Sequence, residues 1–103
     1  MSMGGCVISK NILNGKGNLR WCVREEGVNE VDNGWRFLSD VDTDEYLSDA
    51  DNMSVFNFED LIELEPSVLL IYDLPVGSEV TFVEDDNRKF FLDSKTNEEI
   101  IFE

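Results

Sequence analysis

Histidine does not occur in the 103 residues. Its absence removes histidine-based acid–base catalysis, Ser–His and Cys–His nucleophile pairs, and histidine zinc sites. Cysteine occurs only as Cys6 and Cys22, with no CxxC pair. Two are too few for a disulfide framework. Each sits in an apolar stretch, "GGCVIS" and "RWCVR", so both are expected as buried free thiols. Basic residues are scarce: eight Lys and Arg face 23 Asp and Glu, for a net charge of −15. That sign disfavours nucleic acid and anionic membranes, because phosphate contacts need cations. No apolar run approaches the roughly 20 residues of a membrane span. "MSMGG" has neither the basic start nor the apolar core of a leader peptide, so a cytoplasmic location is expected. A phosphate-cradling loop is missing too, since "NGKGN" lacks the GK[ST] ending.

What remains is enough for a core. Seven Phe, two Trp and two Tyr stand in a chain that is 42% hydrophobic. The length fits one domain, residues 1–103. "GGCVISK" reads as a first strand, and "NILNGKGN" as a loop with two turn signals. "LRWCVREE" alternates, with Leu19, Trp21 and Val23 on an apolar face and Arg20, Cys22 and Arg24 on a mostly polar one. After the connector 27–34, "WRFLS" reads as a strand with Trp35 and Phe37 on one face, paired antiparallel with the strand before it. A helical turn at "TDEYLSDA" fits a Thr43 cap with Asp44 and Glu45 at its positive end. Asn57 is placed to cap a helix whose first turn carries Glu59 and Asp60, and Pro66 ends that helix or opens another. "PSVLLIYD" fits a short helix or a strand, with helix preferred for the leading proline. "EVTFVE" and "KFFLDS" form a hairpin, and "EEIIFE" can add a last short strand. The sum is an α+β fold: a small, largely antiparallel sheet with one or two short helices in the middle of the chain.

The acids are unevenly spread. From Glu25 to Glu65 there are fourteen, against the single basic Arg36, a net of −13. A run of this kind is often only a solvated face, but a one-signed surface also steers a cationic partner. Divalent cations are the other class of this sign. An EF-hand starting at Asp40 would place Asp40, Asp42, Asp44, Ser48 and Asp51 at ligand positions. It fails because Glu45 stands where glycine is needed and Asp51 where a bidentate glutamate is needed. Metal ligands and cofactors are therefore not expected, beyond weak cation binding as an alternative. Trp21, Trp35 and Phe37 resemble a base-stacking platform, but the charge opposes it, and core packing is expected of Trp35 and Phe37. Arg24 and Arg36, if side by side on paired strands, could anchor the acidic loop through carboxylates.

The segments "VISK", "VREE", "GWRFLS", "DEYLSDADN" and "LPVGSE" resemble a small bacterial family grouped with the immunity proteins of polymorphic toxin systems. The similarity runs from about Gly4 to Phe82, and "GWRF" followed by the acidic "EYL…D.DN" loop is its most specific part. The family often has glycine after the serine of that loop, where this chain has Asp40. The resemblance implies a cytoplasmic protein that neutralises a cognate toxin, with no catalytic residue. Charge adds that the partner is basic. Joined, they nominate Trp35, Arg36, Asp40, Asp42, Asp44, Glu45, Tyr46, Asp49 and Asp51 as partner-binding residues. A cytoplasmic accessory or regulatory protein without a toxin partner is the alternative.

Overall fold

A computed structural model describes residues 3–102. Met1 and Ser2, the start of the segment read as lacking a leader, lie outside the described residues, as does Glu103 at the end of the last expected strand. Six strands form one sheet: β1 (Gly5–Ser9), β2 (Leu19–Arg24), β3 (Asp32–Ser39), β4 (Met53–Asn57), β5 (Glu79–Glu84) and β6 (Lys89–Asp93). Their order across the sheet is β4-β1-β3-β2-β5-β6. Three short helices, α1 (Lys10–Leu13), α2 (Asp44–Leu47) and α3 (Phe58–Leu64), accompany 3-10 turns at Ala50–Asn52 and Pro66–Ile71. The expected α+β architecture is thus observed. No helix among the described residues is long and apolar enough to cross a membrane.

The one departure from antiparallel pairing is β1 with β3. The chain leaves β1, turns through α1 and lays down β2 one strand-width away, and β3 then fills the gap. Helix α1 lies where only a loop is expected from "NILNGKGN". Ser9 caps it, its Oγ accepting from Asn11 N–H. The caps of α2 and α3 are those read in the sequence. Tyr46 N–H donates to Thr43 Oγ1 at 3.1 Å, and Glu59 N–H to Asn57 Oδ1 at 3.0 Å. Pro66 opens the 3-10 turn, where its missing N–H costs nothing.

The core lies between one sheet face and the pair α3 and Pro66–Ile71. Cys6, Ile8, Cys22, Trp35, Phe37, Val80, Phe82 and Phe91 come from the strands, and Phe58, Leu61, Val68 and Ile71 from the helical layer. Phe37 bridges the layers, its ring 5.9 Å from Trp35 and 6.1 Å from Phe58. In β2 the structure reverses the expected facing. A bulge between Leu19 and Trp21 shifts the register against β3, so Cys22 is buried while Trp21 is 40% exposed. Arg24 also faces the helical layer. Its guanidinium donates to the carbonyls of Tyr72 at 3.0 Å and Leu74 at 2.7 Å, and lies over the Trp35 ring. The last segment makes only one bridge, Leu92 with Glu99, instead of a full strand. It still lines β6, with Asp93 N–H bonded to Glu98 O and Ile100 N–H to Phe91 O.

Candidate functional site: an acidic segment beside an open sheet face

The nine nominated residues do not form one cluster. They divide by where alternation and capping send each side chain. Trp35 is fully buried and its Nε1 donates to Tyr72 O at 3.2 Å. It anchors the core and offers no surface to a partner, which corrects its place in the nominated set. Arg36, one residue on, points to the opposite face. There its guanidinium grips Asp32 with two bonds of 2.9 Å each, and its Nε reaches Glu25 at 3.2 Å. Arg24 and Arg36 are not side by side: Val23 is the partner of Arg36, and Arg24 that of Trp35. Neither anchors the Asp40–Asp51 loop.

Asp32 was not singled out from the sequence, yet it organises this region. Its carboxylate takes both Arg36 bonds and the N–H groups of Val28 and Gly34, each at 2.9 Å. The Arg36 guanidinium, helped by these N–H groups, holds the Asp32 carboxyl far below the usual range, against the opposing effect of burial.

Asp42 turns inward. Its Oδ1 accepts from Ser9 Oγ (2.9 Å), Asn11 Nδ2 (2.8 Å) and Ser39 Oγ (2.6 Å), and its Oδ2 from Ser39 N–H (2.8 Å). Ser9 and Ser39 are the buried polar residues of the described chain, both at 0% exposure. One carboxylate therefore satisfies the ends of β1 and β3 together. Burial pulls the Asp42 carboxyl up, but the bonds from Ser39, Asn11 and Ser9 outweigh it, so its pKa falls below the ordinary value. Asp40 also serves the fold, accepting from Asn18 N–H at 2.9 Å.

Asp44, Glu45, Asp49 and Asp51 face solvent. Asp44 and Glu45 occupy the first turn of α2, and Asp49 caps the next turn by accepting from Asp51 N–H at 2.9 Å. Tyr46 is half-buried, and its carbonyl accepts from Asn52 Nδ2 at 2.8 Å. Among the described residues the ion pairs use Glu25, Asp32, Glu65, Glu79 and Glu99; none uses an acid between Asp40 and Asp51. No three Asp, Glu or Cys side chains converge on a point among those residues. Both thiols are free and buried, and burial pushes Cys6 up to about 12 and raises Cys22 as well.

The acidic segment borders a surface the sequence reading missed. The sheet face away from the core carries Val7, Val23, Leu38, Met53 and Val55, with Trp21 beside them. Leu47 of α2 leans toward it. With Arg36 and Glu25, most of these side chains line a shallow hollow of about 290 Å³. The alternation of Arg36 and Leu38 was one available signal for this second face.

The fold is α+β, and among the described residues the exposed Asp44, Glu45, Asp49 and Asp51 form no ion pair. A family model described as the immunity protein Imm33 domain matches residues 6–92. The chain belongs to this immunity protein family. The match bears out the resemblance carried by "GWRFLS" and "DEYLSDADN", and it continues into β6. No curated protein and no solved structure matches the chain.

Proposed function

We propose that this chain is a single-domain immunity protein that binds a cationic cognate toxin domain through the acidic surface at Asp40–Asp51, and that it acts by occupation and not by catalysis. The observation that carries this reading is the set of exposed carboxylates, Asp44, Glu45, Asp49 and Asp51, that pair with no cation among the described residues. Membership of an immunity family supports a protein partner. A chain of net charge −15 favours a basic one and speeds its encounter. A toxin that works on nucleic acid needs a cationic cleft, and a row of carboxylates can stand in for phosphates there. The open apolar face beside the segment supplies the desolvated area that charge alone does not. Free buried thiols suit the reducing cytoplasm, where such a toxin would act.

The test is binding of the toxin domain encoded beside this chain's gene, measured by calorimetry over a salt series. The expected result is an affinity that falls with salt. A quadruple neutralisation, Asp44→Asn, Glu45→Gln, Asp49→Asn and Asp51→Asn, keeps the Asp49 cap and weakens binding. Absence of a toxin neighbour, or equal affinity of the quadruple variant, would overturn the reading in favour of an accessory protein.

A further inference from the structure

The sheet has two edges, and they are treated differently. The segment after β6 lines one of them, with backbone bonds from Asp93 to Glu98 and from Ile100 to Phe91. At the other edge, β4 has β1 as its strand partner, and no strand lies beyond it among the described residues. The direction of its backbone groups follows from two bonds. Phe58 N–H donates to Gly4 O, while Gly5 N–H donates the other way, to Val31 O. Bonded pairs alternate along an antiparallel ladder. Ser54 and Phe56 therefore bond to β1. Val55 presents its N–H and C=O outward, the C=O also accepting from Ser54 Oγ at 3.3 Å. Asn57 presents its N–H, while its C=O serves the first helical bond of α3. Met53 N–H is taken by Ala50 O.

Among the described residues neither lysine, proline nor a bulge guards this edge. "MSVFN" contains no Lys and no Pro, and its pairing with β1 runs through five residues without a register shift. Val55 is 80% exposed. The strand carries no charge, but acids bracket it: Asp49 and Asp51 before it, Glu59 and Asp60 after it. Lys10, which continues β1 at the Met53 end, is outnumbered there by Asp42, Asp49 and Asp51.

We infer that β4 is the seat of an added strand: an extended segment of the cationic partner pairs with Val55 and Asn57 and continues the sheet outward. This deepens the proposed function and rests on it. Main-chain bonds give the affinity in such docking, and flanking charge sets the partner. The bracketing acids favour Lys or Arg at both ends of the incoming segment. They also argue against a second copy of this chain. Two antiparallel β4 strands would set the Asp49–Asp51 end of each against Glu59 and Asp60 of the other.

The experiment uses the full chain and the toxin domain encoded by the neighbouring gene, with amide exchange followed by NMR and affinity by calorimetry. In the free protein the Val55 amide exchanges quickly, while those of Ser54 and Phe56 are protected. Binding protects Val55 and Asn57. Val55→Pro removes the outward donor and leaves the β1 bonds intact, and it weakens binding about tenfold or more, the weight of a denied backbone bond or two. Val55→Thr keeps the donor and binds like wild type. A folded Val55→Pro variant of unchanged affinity, or binding that leaves the Val55 amide exposed, overturns strand addition while the acidic-surface reading stands. Equal losses in Val55→Thr and Val55→Pro also overturn it, since the side chain would then be the contact. If Val55→Pro does not fold, the exchange measurement decides alone. No binding by wild type defeats both proposals, and a dimer lost on Val55→Pro would assign the edge to a second copy instead.

Discussion

Replacing Asp42 with alanine tests the account of the acidic segment most directly. The substitution removes four hydrogen bonds: three to Oδ1, from Ser9, Asn11 and Ser39 side chains, and one to Oδ2, from Ser39 N–H. Ser9 and Ser39 have no exposed surface, so their donors lose a partner that water reaches only through the new gap. Asn11 is half-buried and recovers water more easily. Three stranded buried donors at about 1–3 kcal/mol each, two of them hydroxyls free to turn toward water in the gap, give a loss of about 2–4 kcal/mol after rehydration. That is a large part of the roughly 5–15 kcal/mol by which small domains are stable. Urea unfolding followed by the fluorescence of buried Trp35 reads the loss as a lower midpoint at unchanged slope. The acid dependence supplies a second readout. A carboxyl whose folded pKa lies below its unfolded value of about 3.9 contributes stability above that value and loses it as pH falls through the folded pKa. Wild type should therefore weaken below about pH 4 more steeply than Asp42→Asn, which cannot titrate. A loss under about 1 kcal/mol for Asp42→Ala, set against the range expected of such bonds, would refute the clamp, as would equal acid slopes for wild type and Asp42→Asn.

Asp32→Ala strips the partner from Arg36 and from two backbone N–H groups, and should cost about 2–4 kcal/mol in the same assay. Gly34 has φ of +88°, and a Cβ there would lie 2.0 Å from Glu25 O, so Gly34→Ala should lower stability by more than about 2 kcal/mol, read as a drop in Tm. Phe37→Ala removes the ring that joins both layers and should cost about 3–5 kcal/mol. Neither Cys6 nor Cys22 should react with a thiol reagent at pH 8 until the chain unfolds, since both are buried and their thiols are held protonated; rapid labelling of the folded protein would contradict this.

Local chemistry was legible in the sequence where it is decided locally. Thr43 and Asn57 cap the helices they precede because an oxygen at that position meets orphan N–H groups whatever surrounds it. Pro66 and the β5–β6 hairpin follow for similar reasons. Three features escaped because partners far along the chain decide them. Strand β4 is five residues between an acidic run and a helix, and only its ladder with β1 makes it a strand. The facing of β2 depends on a bulge opposite Ser39, and one extra residue exchanges the two faces. The same dependence on register separated Arg24 from Arg36. Asp42 looks like its neighbours in sequence, and what singles it out is that β1 and β3 run parallel and bring Ser9 and Ser39 to one carboxylate.

That division of labour bears on how the segment can bind. Asp42 and Asp40 turn toward the fold, while Asp44, Glu45, Asp49 and Asp51 remain outside on two capped turns. The turns are held by Thr43, Asp49 and Asn52, and Ser48 Oγ donates to Glu45 O at 2.7 Å. A carboxylate array fixed in this way pays little ordering entropy when a partner arrives. Its own repulsion is already part of the folded state, so neutralisation by a cation relieves strain as well as forming bonds. The same logic explains why the clamp lies beneath the segment and not within it. A pairing cation among the exposed acids would stabilise the loop but cancel the field on which the proposed partner's approach depends. An inward Asp42 bonded to serines and an asparagine fixes the loop and leaves the outward charge whole.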